Sequence, residues 1–410
     1  MSYQQALPKN LATWRAESQL LSVKSIHQHG LACSGSSISR EQFLLLRTIW
    51  VERSVHDLYT NDRALWIDNF SFQSAQQFLS SKAIQPSWQR FLKSVTVSQG
   101  TLEQQGYADL HTFSLVRYHQ TQSQGLDPGD NDSAKVDMSP IARRTRQGLI
   151  QRASVQSSPT PGPRHTGLES PVTTLHISDS PPRIPTTPPQ RSSIHTPGRS
   201  SSSGSSGTSQ DISSPFEDPR LFKAIQDEQI VNTALIEYLN ALAIHCTQLK
   251  ANWTLHRIPL IAHDRQRVKT YEARVDGYLK RRRDEKPLAI IEVKPFARSQ
   301  KKQAIRMQES AQMAAWINQY RPDMSKLSDK KQKMSRLLIS QDRHQIYLNF
   351  ASFNADYVDY ICDKQGIDLD AVSLLQMNEY GPFDVGIQSD MSQLGELVLG
   401  YALQQCSKHL

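Results

Sequence analysis

Between Tyr118 and Phe216 the chain contains no Phe, Tyr or Trp. This gap limits what its 410 residues can fold into more than any single motif does. The interval from Pro128 to Pro215 holds 13 of the 21 prolines and includes the serine-glycine run Ser200–Gly207. Such a segment buries too little apolar surface to offset the entropy of ordering it. Residues 126–215 are therefore expected to form a disordered Pro/Ser-rich linker between two folded regions. Its eight Ser-Pro or Thr-Pro steps, from Ser139-Pro140 to Ser214-Pro215, suit a plain tether and also suit proline-directed phosphorylation, which adds negative charge.

Composition narrows the function classes. Apolar residues make up 38% of the chain, below the roughly 45–50% of an ordinary globular domain, as expected if part of it lies outside any core. Lys plus Arg number 47 against 39 Asp plus Glu, a net charge of +8, which favours acidic partners such as nucleic acid. Cys33, Cys246, Cys362 and Cys406 are scattered with no C-x-x-C pair, which argues against a zinc ribbon or a disulfide-stapled fold. No 18-residue apolar run is present, so no membrane-spanning helix is expected. The first residues show no signal-type apolar stretch, and Lys9, Arg15 and Lys24 form no basic amphipathic face. A soluble protein of a reducing compartment is the expectation.

Residues 1–125 read as a small, mainly helical region. Ser39-Arg-Glu-Gln42 has capping-box spacing and leads into Phe43, Leu46, Ile49, Trp50 and Leu58 at helical intervals. Phe72–Leu79 and Trp88–Val95 predict two further short helices around Pro86. His56 and His111 lack metal-ligand spacing, and no catalytic constellation is present here. Protein partners are the expected business of this region and the linker.

Residues 216–410 carry the aromatic density of a folded domain. The periodicities predict helices at Asp227–Ile244, Gln303–Tyr320 and Met391–Gln405. Strands are predicted at Arg257–Ala262, Tyr271–Leu279, Leu288–Lys294, Arg336–Ser340 and Gln345–Phe350. This order describes an α/β domain.

The chemistry concentrates in Asp276, Glu292 and Lys294. Strand alternation places Glu292 and Lys294 of Leu288-Ala-Ile-Ile-Glu-Val-Lys294 on one face, with Ala289, Ile291 and Val293 on the other. Charges at the end of so apolar a strand need a partner or a metal. Two carboxylates from neighbouring strands, Asp276 and Glu292, suit Mg2+, with Mn2+ as a substitute and the Val293 backbone carbonyl as a third oxygen. Lys294 would then orient a water and stabilise charge on a phosphorane. The same residues also fit an ordinary Glu292–Lys294 salt bridge.

An Asp followed 16 residues later by Glu-Val-Lys294, after one helix and before another, resembles the PD-(D/E)XK nuclease-like superfamily. Asp227–Leu235 and Arg306–Ile317 are similar to uncharacterised fungal members. The resemblance covers residues 216–410 and implies a restriction-endonuclease-like core, a mixed sheet flanked by helices. It further implies a catalytic set of Asp276, Glu292, Lys294 and an acid on the first helix. Glu228 or Glu237 can supply that acid, and Glu228 lies nearer the start of the apolar stripe. Val275 stands where the motif name has Pro. Gln308-x-x-x-Gln312 stands where some exonuclease-like members have Gln-x-x-x-Tyr, which makes Gln308 a candidate nucleic-acid contact.

Charge points the same way. Residues 264–336 hold 20 Lys/Arg against 9 Asp/Glu, whereas residues 337–410 hold 3 against 10. The basic turn with Arg281, Arg282 and Arg283 is a candidate phosphate contact. Lys280–Arg283 and Arg143–Arg146 also resemble nuclear-import patches. The expectation is metal-dependent phosphodiester hydrolysis of nucleic acid, DNA before RNA, in the nucleus or cytoplasm with the nucleus favoured. The rival is a catalytically inactive nuclease-fold protein that binds nucleic acid or acts as a scaffold.

Overall fold

The computed structural model describes residues 6–29, 33–126, 219–326, 329 and 331–407. From residue 127 onward the expected linker lies outside the described residues, as do its Ser-Pro and Thr-Pro steps and Arg143–Arg146.

Long buried runs build the centre. Strand β7 (Pro287–Lys294) is buried at every position except its last, the pattern of a strand covered on both faces. It sits inside a seven-stranded sheet ordered β2-β10-β9-β8-β7-β6-β3. The others are β2 (Thr48–Arg53), β3 (Ala251–Thr254), β6 (Gly277–Arg281), β8 (Met334–Asp342), β9 (Gln345–Phe353) and β10 (Leu375–Asp384). The sheet is mixed: β2 with β10 and β7 with β8 are parallel, the remaining pairs antiparallel. A smaller sheet, β1-β5-β4, combines β1 (Cys33–Ser34), β4 (Pro259–His263) and β5 (Lys269–Arg274).

Helices close both faces, and alternation along each strand decides which core a residue joins. Ala289, Ile291 and Val293 of β7 face one core with Leu337, Ile339 and Phe350. That core is covered by α2 (Asn69–Leu79), α3 (Gln85–Ser94), α4 (Ser114–Gly125), α5 (Pro219–Ala243) and α8 (Gln388–Ser407). Ile290, Leu338, Ala351 and Met377 face the other, covered by α1 (Arg40–Leu45), α6 (Arg298–Gln319), α7 (Ala355–Ile361) and the smaller sheet. The fold is α/β with helices on both sides of one mixed sheet.

Residues 1–125 do not stand apart from residues 216–410. Both stretches belong to one compact unit, and each of the two cores draws side chains from both. The single amphipathic helix expected from Phe43 to Leu58 is instead α1 followed by β2. Ser39 and Gln42 do form the reciprocal capping box, but the chain then turns at Arg47, whose φ is +51°. Trp50 lies 2% exposed, in register with Met377, and its Nε1 donates to Ser310 Oγ at 3.0 Å. Long-range pairing with β10 has outweighed local helical spacing.

The strand expected at Tyr271–Leu279 is likewise divided. The chain leaves the smaller sheet after Arg274 and enters the main one at Gly277, so Val275 and Asp276 form the crossing. A Cβ at Gly277 would lie 2.6 Å from the Thr254 carbonyl oxygen and 3.0 Å from Ile236 Cδ1, so only glycine admits this close approach.

Candidate active site

Asp276 is held at the crossing by four contacts from three elements. Its amide donates to the Ile291 carbonyl at 2.9 Å, and its Oδ2 accepts from the Val293 amide at 3.0 Å. From α5, Asn232 Nδ2 donates to the Asp276 carbonyl at 3.1 Å. From the β3–β4 loop, Arg257 Nη2 lies 3.1 Å from Asp276 Oδ1 and 2.7 Å from Glu228 Oε1. Glu228 is four residues, one helical turn, before Asn232, so the two share a face of α5. Glu237 instead meets His119 Nδ1 at 2.7 Å.

Glu292 occupies the adjoining strand position. It is 2% exposed and pairs with Lys294. Gln308 and Gln312, also one turn apart on α6, donate to its two oxygens, Gln308 at 2.6 Å to Oε1 and Gln312 to Oε2. Gln312 Nε2 further donates to the Arg274 carbonyl at 2.7 Å, just before the crossing. The structure thus brings Glu228, Asp276, Glu292, Lys294 and Gln308 to one place, with Val293 between the last acid and the lysine.

The electrostatics follow from crowding. Burial pushes the Glu292 carboxyl up to about 8, against the pull of Lys294 and with the nearby Asp276 charge adding to the rise. Burial and then Asp276 raise Glu228 as well, opposed by Lys294 and Arg257. Lys294 stays protonated: burial works against its charge, but Glu292, Glu228 and Asp276 outweigh it. Two cations thus face three acidic groups in a poorly solvated corner, and a divalent cation would favour their charged forms.

The donor chemistry suits Mg2+ or Mn2+, which favour carboxylate oxygens and keep several waters. Among the described residues no group of three or more His, Cys, Asp or Glu side chains is arranged to hold a metal. The side chains present could contribute two carboxylates, Asp276 and Glu292, with the Val293 carbonyl and water completing an ion's shell.

Arg281, Arg282 and Arg283 are not brought to this cluster. Arg281 ends β6, about 16 Å from Asp276 at a strand rise of about 3.3 Å per residue, and Arg282 and Arg283 follow in the turn beyond it. The turn is also partly neutralised: Arg281 and Lys286 pair with Asp284, and Lys280 with Glu285.

Neither Arg257 nor Asn232 is marked by sequence spacing, because a loop and a helix face meet Asp276 only through packing. Nor did it signal the charged network beside Lys294. Arg298, 2% exposed, pairs with Asp342, Glu309 and Glu379. Arg306 joins Glu379 to Glu52 of β2, and Lys302 reaches Glu52 at 2.6 Å. Asp342 is the register partner of Lys294, so the network begins next to the cluster.

Comparisons with protein-family models, curated proteins and solved structures find no match. The functional reading therefore rests on the site. Among the described residues no helix is long and apolar enough to cross a membrane.

Proposed function

We propose that this chain hydrolyses nucleic-acid phosphodiesters with a divalent metal, through a restriction-endonuclease-like core of the PD-(D/E)XK kind. The observation that carries the proposal is the hydrogen bond of Asp276 to the Val293 amide. It ties the first acid to the residue between Glu292 and Lys294, so that acid, acid and lysine form one unit across two strands. Asp276, Glu292 and the Val293 carbonyl would hold Mg2+ or Mn2+. When bound, the metal would polarise the phosphodiester and lower the pKa of a water.

The chain's own groups supply the rest. Gln308 and Gln312 hold the Glu292 carboxylate between them, which fixes the plane of a ligand that burial alone would leave protonated. Lys294 stays charged beside it, placed to stabilise negative charge that develops on the phosphate. Glu228, at the edge of the group, supports Asp276 through Arg257. Nucleic acid, DNA before RNA, is the proposed substrate.

The test is cleavage of labelled single- and double-stranded DNA and RNA, with Mg2+, Mn2+ or EDTA. Metal-dependent cleavage that Glu292→Gln abolishes is the expected result. No cleavage of any substrate by the wild-type chain contradicts the proposal.

One observation favours a second reading, an inactive nuclease fold that binds nucleic acid or serves as a scaffold. The Arg257 guanidinium already spans Glu228 and Asp276, where it stands in for a metal's charge. On that reading Arg257→Gln creates Mg2+ binding that the wild-type protein lacks.

A further inference from the structure

A basic groove lies away from the carboxylate cluster, where the β4–β5 turn meets the end of α6. It comprises a cavity of about 440 Å³, whose lining includes Arg265, Arg267, Arg321 and Lys364. A neighbouring cavity of about 300 Å³ is lined by His263, Arg267, Asn318, Gln319 and Arg321. Arg267 and Arg321 line both, so the two cavities share a wall made of guanidinium groups.

The groove's acids are already engaged. Asp359 pairs with Lys364 at 2.7 Å. Asp363 lies 4.0 Å from Arg265 Nε and accepts the Arg265 amide at 3.3 Å. Arg267 and Arg321 are both exposed, and neither has an ion-pair partner among the described residues. The floor is fixed: Asn318 Oδ1 accepts from the His263 amide at 3.0 Å, and its Nδ2 donates to the carbonyls of His263 and Ile361. The Asn318 amide is thus spent, and the two guanidinium forks remain to face a ligand. Such forks match the paired oxygens of a phosphate group.

The groove stands at a definite distance from the candidate active site. Strand β5 begins at Lys269, two residues after Arg267, and ends at Arg274, two residues before Asp276. At about 3.3 Å per residue, β5 itself covers about 16 Å, and the nine residue steps from Arg267 to Asp276 cover at most about 30 Å. Duplex DNA advances about 3.4 Å per nucleotide, so this path matches about five to nine nucleotides.

We propose that Arg267 and Arg321 form a second phosphate-binding station, which grips the backbone of a nucleic-acid strand about five to nine nucleotides from the phosphodiester at Asp276 and Glu292. The spacing rests on the proposed hydrolytic site; the binding itself does not.

The experiment is fluorescence anisotropy of labelled oligonucleotides of 4, 8 and 16 nucleotides, single- and double-stranded, against the full chain in EDTA over a range of salt. The proteins are wild type, Arg267→Gln/Arg321→Gln and Arg267→Lys/Arg321→Lys, each checked for folding by circular dichroism. Loss of two phosphate contacts should lower the slope of log affinity against log salt by about 1.5–2. Affinity for the 8- and 16-mers should fall at least tenfold. The lysine variant should keep the slope. Wild-type affinity and slope in the glutamine variant overturn the proposal, as does wild-type protein that binds no oligonucleotide yet takes up an acidic peptide through these arginines. Arginine-dependent binding without any cleavage in Mg2+ overturns the hydrolytic reading and leaves the groove. Cleavage with binding indifferent to both arginines overturns the groove alone.

Discussion

The Oδ2 of Asp276 accepts a hydrogen bond from the backbone amide of Val293 at 3.0 Å. One side chain thereby joins the point where the chain changes sheets to the strand that carries Glu292 and Lys294. Asp276→Ala removes this acceptor and leaves a buried amide unpaired, at a cost of about 1–3 kcal/mol. Asp276→Asn keeps a carbonyl oxygen for the amide but lacks the charge. Urea unfolding should show the alanine variant destabilised and the asparagine variant nearer to wild type. Hydrolysis should be lost in both. Equal stability of the two would remove the structural role assigned to this bond.

Lys294 makes a second test. Lys294→Met should slow hydrolysis about 100- to 1000-fold, the usual effect of losing one charge-stabilising group, and should leave Mg2+ binding intact. Breaking a buried ion pair typically costs about 3–5 kcal/mol. The cost here should be at the low end or below it, because Glu292, pushed up to about 8, can take up a proton. Adding Glu292→Gln to the Lys294→Met background should then recover stability, measured by denaturant midpoint. A further loss would show that Glu292 is not the group left exposed to burial.

Strand β2 gives a third test, of the single compact unit. Proteolysis within residues 127–215, where composition favours cleavage, should yield two fragments. They should remain together on size exclusion, because β2 is hydrogen-bonded to β10 and Trp50 is packed under α6. A chain of residues 216–410 alone exposes the β10 edge and the parts of both cores that residues 1–125 cover, and should aggregate. Separation of the nicked fragments as folded species would refute the shared sheet.

Glu52 carries a pH dependence. Burial raises its carboxyl, but Arg306 and Lys302 outweigh that and hold it near 2, below its ordinary value of 4.5. A depressed carboxyl contributes its full stabilisation above the unfolded value, and loses it as pH falls from about 4.5 towards 2. Glu52's side chain is 46% exposed, so the contribution at pH 7 should not exceed about 1 kcal/mol. Glu52→Gln should be less stable than wild type at pH 7 by that amount, and the gap should narrow below about pH 4.5 and close near pH 2 in urea titrations. A constant gap would mean that the charge is not its source.

Glu292 and Lys294 stood out because charges at alternate positions of an apolar strand break the burial rule, Asp276 because it ends the run from Ala273 before Gly277, and Glu228 because helix phase turns it towards the sheet. Arg257 and Asn232 left no such mark, since neither interrupts a periodic pattern. Strand β2 was hidden because Thr48–Arg53 follows Phe43 and Leu46 at intervals that also satisfy a helix, while its partner lies more than 300 residues away in sequence. Strand β10 was hidden by Pro382, which argues against a strand unless it falls in an irregularity. It does so here, between Tyr380 and Phe383. The division at Val275–Asp276 could not be read either: the alternation continues through it, and only the approach of Thr254 to Gly277 shows where the chain must cross.

The central claim is that Asp276 and Glu292 hold a divalent metal. Calorimetric titration of Mg2+ into the full chain at neutral pH, beside Asp276→Asn and Glu292→Gln, tests it most directly. The account predicts saturable binding to wild type and none to either variant, because one carboxylate is too few to retain Mg2+ against water. Equal heats from all three proteins would contradict it.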